Sequence, residues 1–163
     1  LDYDSISAGY ALADAAAALS VKGVNYAILT YKNTVVTYGE IDHGDPDDKV
    51  NVAVYTSDND DQYHGIISFE NSVLSTCDKN SLVIDSKTGK RVESQHDTVV
   101  VLCGDGILSN ALAPVLYGMS TEEIERIYNS KVIKFEAVVI ENDGEVYKTS
   151  DAVEYQTNEE PAE

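Results

Sequence analysis

Polar and apolar positions change period several times along this chain, and each change predicts an element. Residues 6–21, ISAGYALADAAAALSV, are rich in alanine with apolar residues at helical spacing, and Gly23 follows as a C-cap. This predicts a helix whose small side chains let another element approach closely. Alternation takes over in NYAILTY (25–31) and TVVTYGE (34–40), which predict a hairpin turning at Lys32-Asn33. After a polar loop, VNVAVYT (50–56) and QYHGIISFE (62–70) predict two more strands around the turn SDNDD (57–61). SVLST (72–76) and SLVID (81–85) predict short strands flanking the turn Cys77-Asp78-Lys79-Asn80.

DTVVVLC (97–103) is the most apolar of these segments and is expected at the centre of a sheet. ILSNALAPVLYGM has a helical pattern despite Pro114, and Ser120-Thr121-Glu122-Glu123 is a capping box opening a helix to about Asn129. KVIKFEAVVIE (131–141) and GEVYKTS (144–150) close the pattern as a hairpin across Asn142-Asp143-Gly144. The sum is an α+β fold, mostly antiparallel sheet built from hairpins with about three helices packed on it. One domain is expected over residues 1–153, with an acidic tail, 154–163, that frays.

Composition narrows the function classes. A chain of 163 residues with 43% hydrophobic content can bury a proper core. Eleven basic residues face 29 acidic ones, a formal charge of −18 that repels nucleic acid and anionic lipid. No apolar run is long enough to cross a bilayer. The first residue is Leu1, with no visible signal peptide. The acidity, eleven tyrosines and absence of tryptophan fit an exported protein, extracellular or periplasmic.

Residue by residue, no motif announces catalysis. His43, His64 and His96 are scattered, with no pair at metal-ligand spacing, and read as surface histidines. Asp58, Asp60 and Asp61 lack the glycine and late glutamate of a calcium loop and read as a solvated turn. Gly104-Asp105-Gly106 could aim backbone N–H groups at an anion, but Asp105 brings its own negative charge. Ser109 and Ser120 have no partnered histidine in a hydrolase motif. Cys77 and Cys103 are either two buried thiols or one disulfide.

The ordered set of segments says more. LDYDSISAGYALADAA resembles the D-L-G-G-I-A-K-G-Y-A-x-D stretch of the FAD:protein FMN transferase (ApbE) family, through Leu1, Asp2, Ile6, Gly9, Tyr10 and Ala11. VIDSKTGKRV resembles its H-x-I-D-P-x-T-G-x-P segment through Ile84, Asp85, Thr88 and Gly89. Asn110-Ala111-Leu112-Ala113 resembles D-A-L-A-T, Cys77-Asp78 falls on the Gly-Asp of a Thr-Ser-Gly-Asp turn, and FEAVVIENDGEVYKTS resembles the closing hairpin. The resemblance runs from Leu1 to about Ser150. It implies the C-terminal half of a magnesium-dependent enzyme that cleaves FAD and transfers FMN to a threonine of a partner protein, usually outside the cytoplasmic membrane. It also implies Tyr10, Asp78, Asp85, Thr88 and Gly89 as flavin-site residues and Asn110 as the metal position. An N-terminal membrane anchor would belong to the part of the family chain that precedes Leu1.

The departures fall on the chemistry. Asp4 and Ser5 replace a glycine pair, Ala8 a lysine, and Ala13 an aspartate. Lys32-Asn33-Thr34 stands for a Gly-Gly-Asp turn, and Leu82 for the histidine before Ile-Asp. Asn110 stands where the family has its metal-binding aspartate, and Pro114 where it has a hydroxyl. A neutral amide is a weaker magnesium ligand than a carboxylate. In relatives both cysteine positions border the active site. A disulfide stapling the site is therefore expected, stabilising by roughly 3 kcal/mol for a loop of about 25 residues. The reading is a degenerate, non-catalytic binding or assembly module that needs no cofactor and contacts a protein partner or copies of itself. The alternative is an active transferase using FAD and magnesium.

Overall fold

The structure is a computed structural model, and it describes residues 4–39, 49–57 and 62–158. Their order is α1 (Asp4–Val21), β1 (Tyr26–Tyr31), β2 (Thr34–Gly39), β3 (Val50–Val54), β4 (Gly65–Phe69), β5 (Val73–Asp78) and β6 (His96–Cys103). Then come α2 (Gly106–Tyr117), α3 (Thr121–Ser130), β7 (Glu136–Glu141), β8 (Val146–Lys148) and β9 (Glu154–Thr157). Six strands form one antiparallel sheet in the order β1-β2-β5-β6-β7-β8, and three form a second in the order β3-β4-β9. This is the α+β, mostly antiparallel architecture that the alternation predicts.

β6 explains the layering. Val99, Val101 and Cys103 face a core with Leu112, Leu116 and Ile124 of the helices, whereas Val100 faces Ile67, Phe69 and Val153 of the small-sheet side. The stretch Val99–Cys103 is packed on both faces, which is why this part of β6 reads as one apolar run. Ser120 caps α3 through Glu123 N–H while Glu123 accepts from Ser120 N–H, the reciprocal box written in the sequence. Pro114 sits inside α2 and leaves the Asn110 carbonyl without a helical N–H partner.

Four expectations differ from the structure. Residues 81–85 do not pair with β5, because β2 and β6 already occupy both its edges. Ile84 instead bridges to Arg91. The supposed frayed tail contains β9, whose residues Glu154–Thr157 pair with Gly65–Ser68. Tyr155 lies against Gly65, where an added Cβ would come within 2.4 Å of the phenol ring.

Cys77 and Cys103 are free and buried. Cys77 pairs with Val99 and Cys103 with Val73, so four rows of the β5–β6 ladder separate them, about 13 Å. A disulfide needs Cα atoms within roughly 7 Å. Burial instead pushes the Cys77 thiol up to about 11, the mark of an unreactive structural cysteine.

His96, read as a surface residue, is fully buried. Its Nδ1 lies 2.8 Å from Glu141 Oε2 and its Nε2 2.7 Å from the Met119 carbonyl. His64 Nδ1 lies 2.7 Å from the Tyr155 hydroxyl. His43, Asp58, Asp60 and Asp61 lie outside the described residues.

Candidate functional site

The helices α1 and α2 cross at two glycines. A Cβ on Gly9 would stand 1.9 Å from the Gly106 carbonyl oxygen, and one on Gly106 would stand 2.5 Å from the Gly9 oxygen. Only bare backbone fits there. This contact places Gly9 N–H 2.6 Å from Asn110 Oδ1, to which it donates. Asn110 Nδ2 donates to Thr34 Oγ1 at 2.7 Å and to Ser75 Oγ at 2.6 Å. The side chain is 4% exposed and joins α1, α2, β2 and β5 at one point. Ser109 sits beside it, its hydroxyl 2.9 Å from Ser75 Oγ and within reach of the Val73 and Val101 carbonyls.

These residues do not fit a magnesium site. The amide oxygen that would bind the ion accepts the Gly9 N–H, the nitrogen points at two hydroxyls, and Pro114 offers no side-chain donor atom. Among the described residues no group of three or more His, Cys, Asp or Glu side chains is arranged to hold a metal ion. Tyr10 follows Gly9 at the crossing but is 59% exposed, directed away from the buried hub.

Asp78, Asp85, Thr88 and Gly89 form a second group. The Asp78 carboxylate closes its own turn, accepting Ser81 N–H and Ser81 Oγ–H, each at 2.8 Å. Asp85 accepts Lys87 N–H at 2.7 Å, and its carbonyl accepts Gly89 N–H at 2.8 Å. The Lys87 N–H holds the Asp85 carboxyl below the ordinary carboxylate range. Gly89 takes φ +68°, a left-handed conformation that closes the turn and favours glycine. Arg91 fastens the two turns together by donating to the Lys79 and Ser81 carbonyls. Thus Arg91 has a local backbone role, and the Lys87 contact that matters is its N–H. Leu82, at the family's histidine position, is 76% exposed.

The structure therefore splits the expected site residues. Asn110 occupies the second turn of α2, while Gly118 at its C-cap approaches Val92, which follows the 85–89 turn. Asn110 and Gly118 are eight residues apart along α2, roughly 12 Å at 1.5 Å per residue. The buried polar residues Thr34, Ser75, Ser109 and Asp97 gave no recognisable motif. Asp97 is 3% exposed; it accepts Ser57 N–H and Oγ–H at 2.8 and 2.6 Å and pairs with Lys79 at 2.8 Å. Burial pushes its pKa up, but the bonds from Lys79, Ser57 and Thr98 outweigh that and hold it below the usual value.

Comparison with solved structures reaches the same architecture. The flavin transferase ApbE from Vibrio cholerae superposes with a TM-score of 0.74 at 20% identity, covering 92% of this chain and 50% of that one. The flavinyl transferase ApbE of Pseudomonas stutzeri, in its apo form, gives 0.71 at 20% identity, covering 91% and 48%. The ApbE protein of Thermotoga maritima gives 0.75 at 16% identity, covering 93% and 52%. This chain thus spans about half the length of the structures it matches. No curated protein sequence matches it. The ApbE family profile matches residues 1–139, and this places the chain in the ApbE family.

Proposed function

We propose that this chain carries the flavin-transferase fold without its transferase chemistry and acts as a binding and assembly module. The observation that carries this reading is Asn110: both ends of its side chain are engaged inside the fold, at the position where relatives have a metal-binding aspartate. Pro114 and Leu82 add to it, standing where the family resemblance expects a hydroxyl and a histidine.

A role in protein contact is supported by α1. This helix is apolar almost all round, and it turns Tyr10, Ala11, Ala17, Ala18 and Val21 outward with Asp14 as the one charge among them. Helices apolar on every side are ordinarily covered on every side. The solved relatives are about twice as long, which supports a further polypeptide segment as the occupant of that face.

The test is chromatography of FAD incubated with magnesium, the protein and a threonine-bearing acceptor polypeptide. The reading predicts no AMP, and no flavin on the acceptor, above the protein-free control. Protein-dependent release of AMP together with flavin bound covalently to the acceptor would overturn the reading in favour of the magnesium-dependent transferase.

A further inference from the structure

A cavity of about 510 Å³ opens between the two sheets, and none of Tyr10, Asp78, Asp85, Thr88, Gly89 or Asn110 lines it. Its volume falls in the range, roughly 300–1,000 Å³, of small-molecule sites. Phe69, Leu102 and Val153 supply apolar wall, and Tyr128 and Phe135 meet edge to face there with centroids 5.8 Å apart. Three of the chain's eleven basic residues, Lys49, Lys131 and Lys134, stand around it.

The acidic residues of the lining do not neutralise that charge evenly. Glu136 accepts from the hydroxyls of Tyr128, Thr149 and Ser150. Glu154 pairs with Lys49. Val50 pairs with Phe69, so Lys49 and Glu70 are the next positions across that strand pair. Lys131 and Lys134 are left, among the described residues, with no carboxylate partner. The Lys131 ammonium sits 3.6 Å from the centre of the Tyr128 ring. In a chain of charge −18, two lysines without carboxylates beside an aromatic wall are positioned for an anion from outside.

We propose that this cavity binds a planar aromatic anion. Its ring system would lie against Tyr128, Phe135 and Phe69, and its carboxylate, sulfonate or phosphate would face Lys131 and Lys134. The assignment goes beyond the assembly role and does not depend on it. Gly104 supplies a means to block the site, because a Cβ there meets nothing within 4 Å and its φ is not in the left-handed region.

The test is a fluorescence titration with 1-anilinonaphthalene-8-sulfonate, with the uncharged N-phenyl-1-naphthylamine as control. The expected result is saturable one-to-one binding of the sulfonate, with a Kd on the order of 10–100 µM. The neutral analogue should bind at least about tenfold more weakly, since it lacks the charge–charge attraction. The double variant Lys131→Glu/Lys134→Glu should weaken sulfonate binding by a similar factor, and Gly104→Phe should abolish it. Both variants should keep the parent far-UV circular dichroism and melting midpoint, which separates loss of the site from loss of the fold. Equal binding of the two dyes, unsaturable binding, or sulfonate binding that survives both sets of substitutions would overturn the proposal.

Discussion

Replacing Asn110 with alanine tests whether this side chain is a buried junction of the fold. Three hydrogen bonds are lost at once, to Gly9, Thr34 and Ser75. The Gly9 N–H is left buried without an acceptor, a penalty of about 1–3 kcal/mol. The two hydroxyls can partly re-pair, since Ser109 lies 2.9 Å from Ser75, so they add about 1 kcal/mol. The void left by the amide adds on the order of 1 kcal/mol. The total is roughly 3–5 kcal/mol, or on the order of 10 °C in melting midpoint for a domain of this size. Urea unfolding followed by circular dichroism and by the eleven tyrosines, with no tryptophan to interfere, measures it directly.

Asn110→Asp sharpens the test by keeping the size and the acceptor for Gly9. Burial raises the folded-state pKa of that carboxyl above its unfolded value of about 3.9. The variant should therefore approach the parent's stability below about pH 4 and fall behind as pH rises through the folded pKa. A loss below about 1 kcal/mol for the alanine variant would refute the claim that Asn110 holds the helices and strands together.

Three further outcomes are expected. Gly9→Ala should destabilise more than Gly106→Ala in the same urea assay, because its Cβ meets carbonyl backbone at 1.9 Å rather than 2.5 Å; the reverse order would contradict the crossing geometry. Asp97→Asn should lower stability at neutral pH by about 1–3 kcal/mol, with its difference from the parent shrinking in acid. The sign follows from the depressed native pKa, since such a carboxylate stabilises above its unfolded pKa and loses the contribution as pH falls through the folded value. Truncation after Val153 should lower the melting midpoint measurably, because it removes β9 and the Tyr155 ring from Gly65 and His64; an unchanged midpoint would restore the reading of that segment as a frayed tail.

The sequence signals are legible where one short stretch contains its own cause. Ser120 and Glu123 write the α3 cap, Gly23 ends α1 at φ +82°, and Gly144 turns the last hairpin at φ +88°. The double burial of β6 is equally plain in its run of valines. What escaped depends on distant partners. Leu82, Val83 and Ile84 have strand-like chemistry, but both edges of β5 are taken, so the segment closes on Arg91 instead. Glu154–Thr157 looks too polar for a core strand, yet it needs only Tyr155 to face inward and an open edge on β4. His96 looks like a surface residue in the sequence because its partners Glu141 and Met119 lie 45 and 23 residues away.

The candidate site divides along the same line. Asp78, Asp85 and Gly89 stand in turns whose bonds span two to four residues, so their conformations were legible in the sequence. Asn110 could be aligned with the family's metal position, but its bonds to Gly9, Thr34 and Ser75 span 101, 76 and 35 residues. Only the folded chain shows that this side chain ties α1, α2, β2 and β5 together. The aromatic cavity draws its walls from six separate stretches of chain and has no linear signature at all.

The proposal that position 110 does not serve metal and flavin chemistry turns on whether the folded chain binds FAD and magnesium together. Its most direct test is the melting midpoint of the unmodified protein with FAD, with magnesium, and with both together at millimolar concentration. The account predicts no magnesium-dependent FAD stabilisation, because the Asn110 oxygen and nitrogen remain bonded within the fold. A saturable rise in midpoint that requires FAD and magnesium together would contradict it and return the chain to the active transferases of its family.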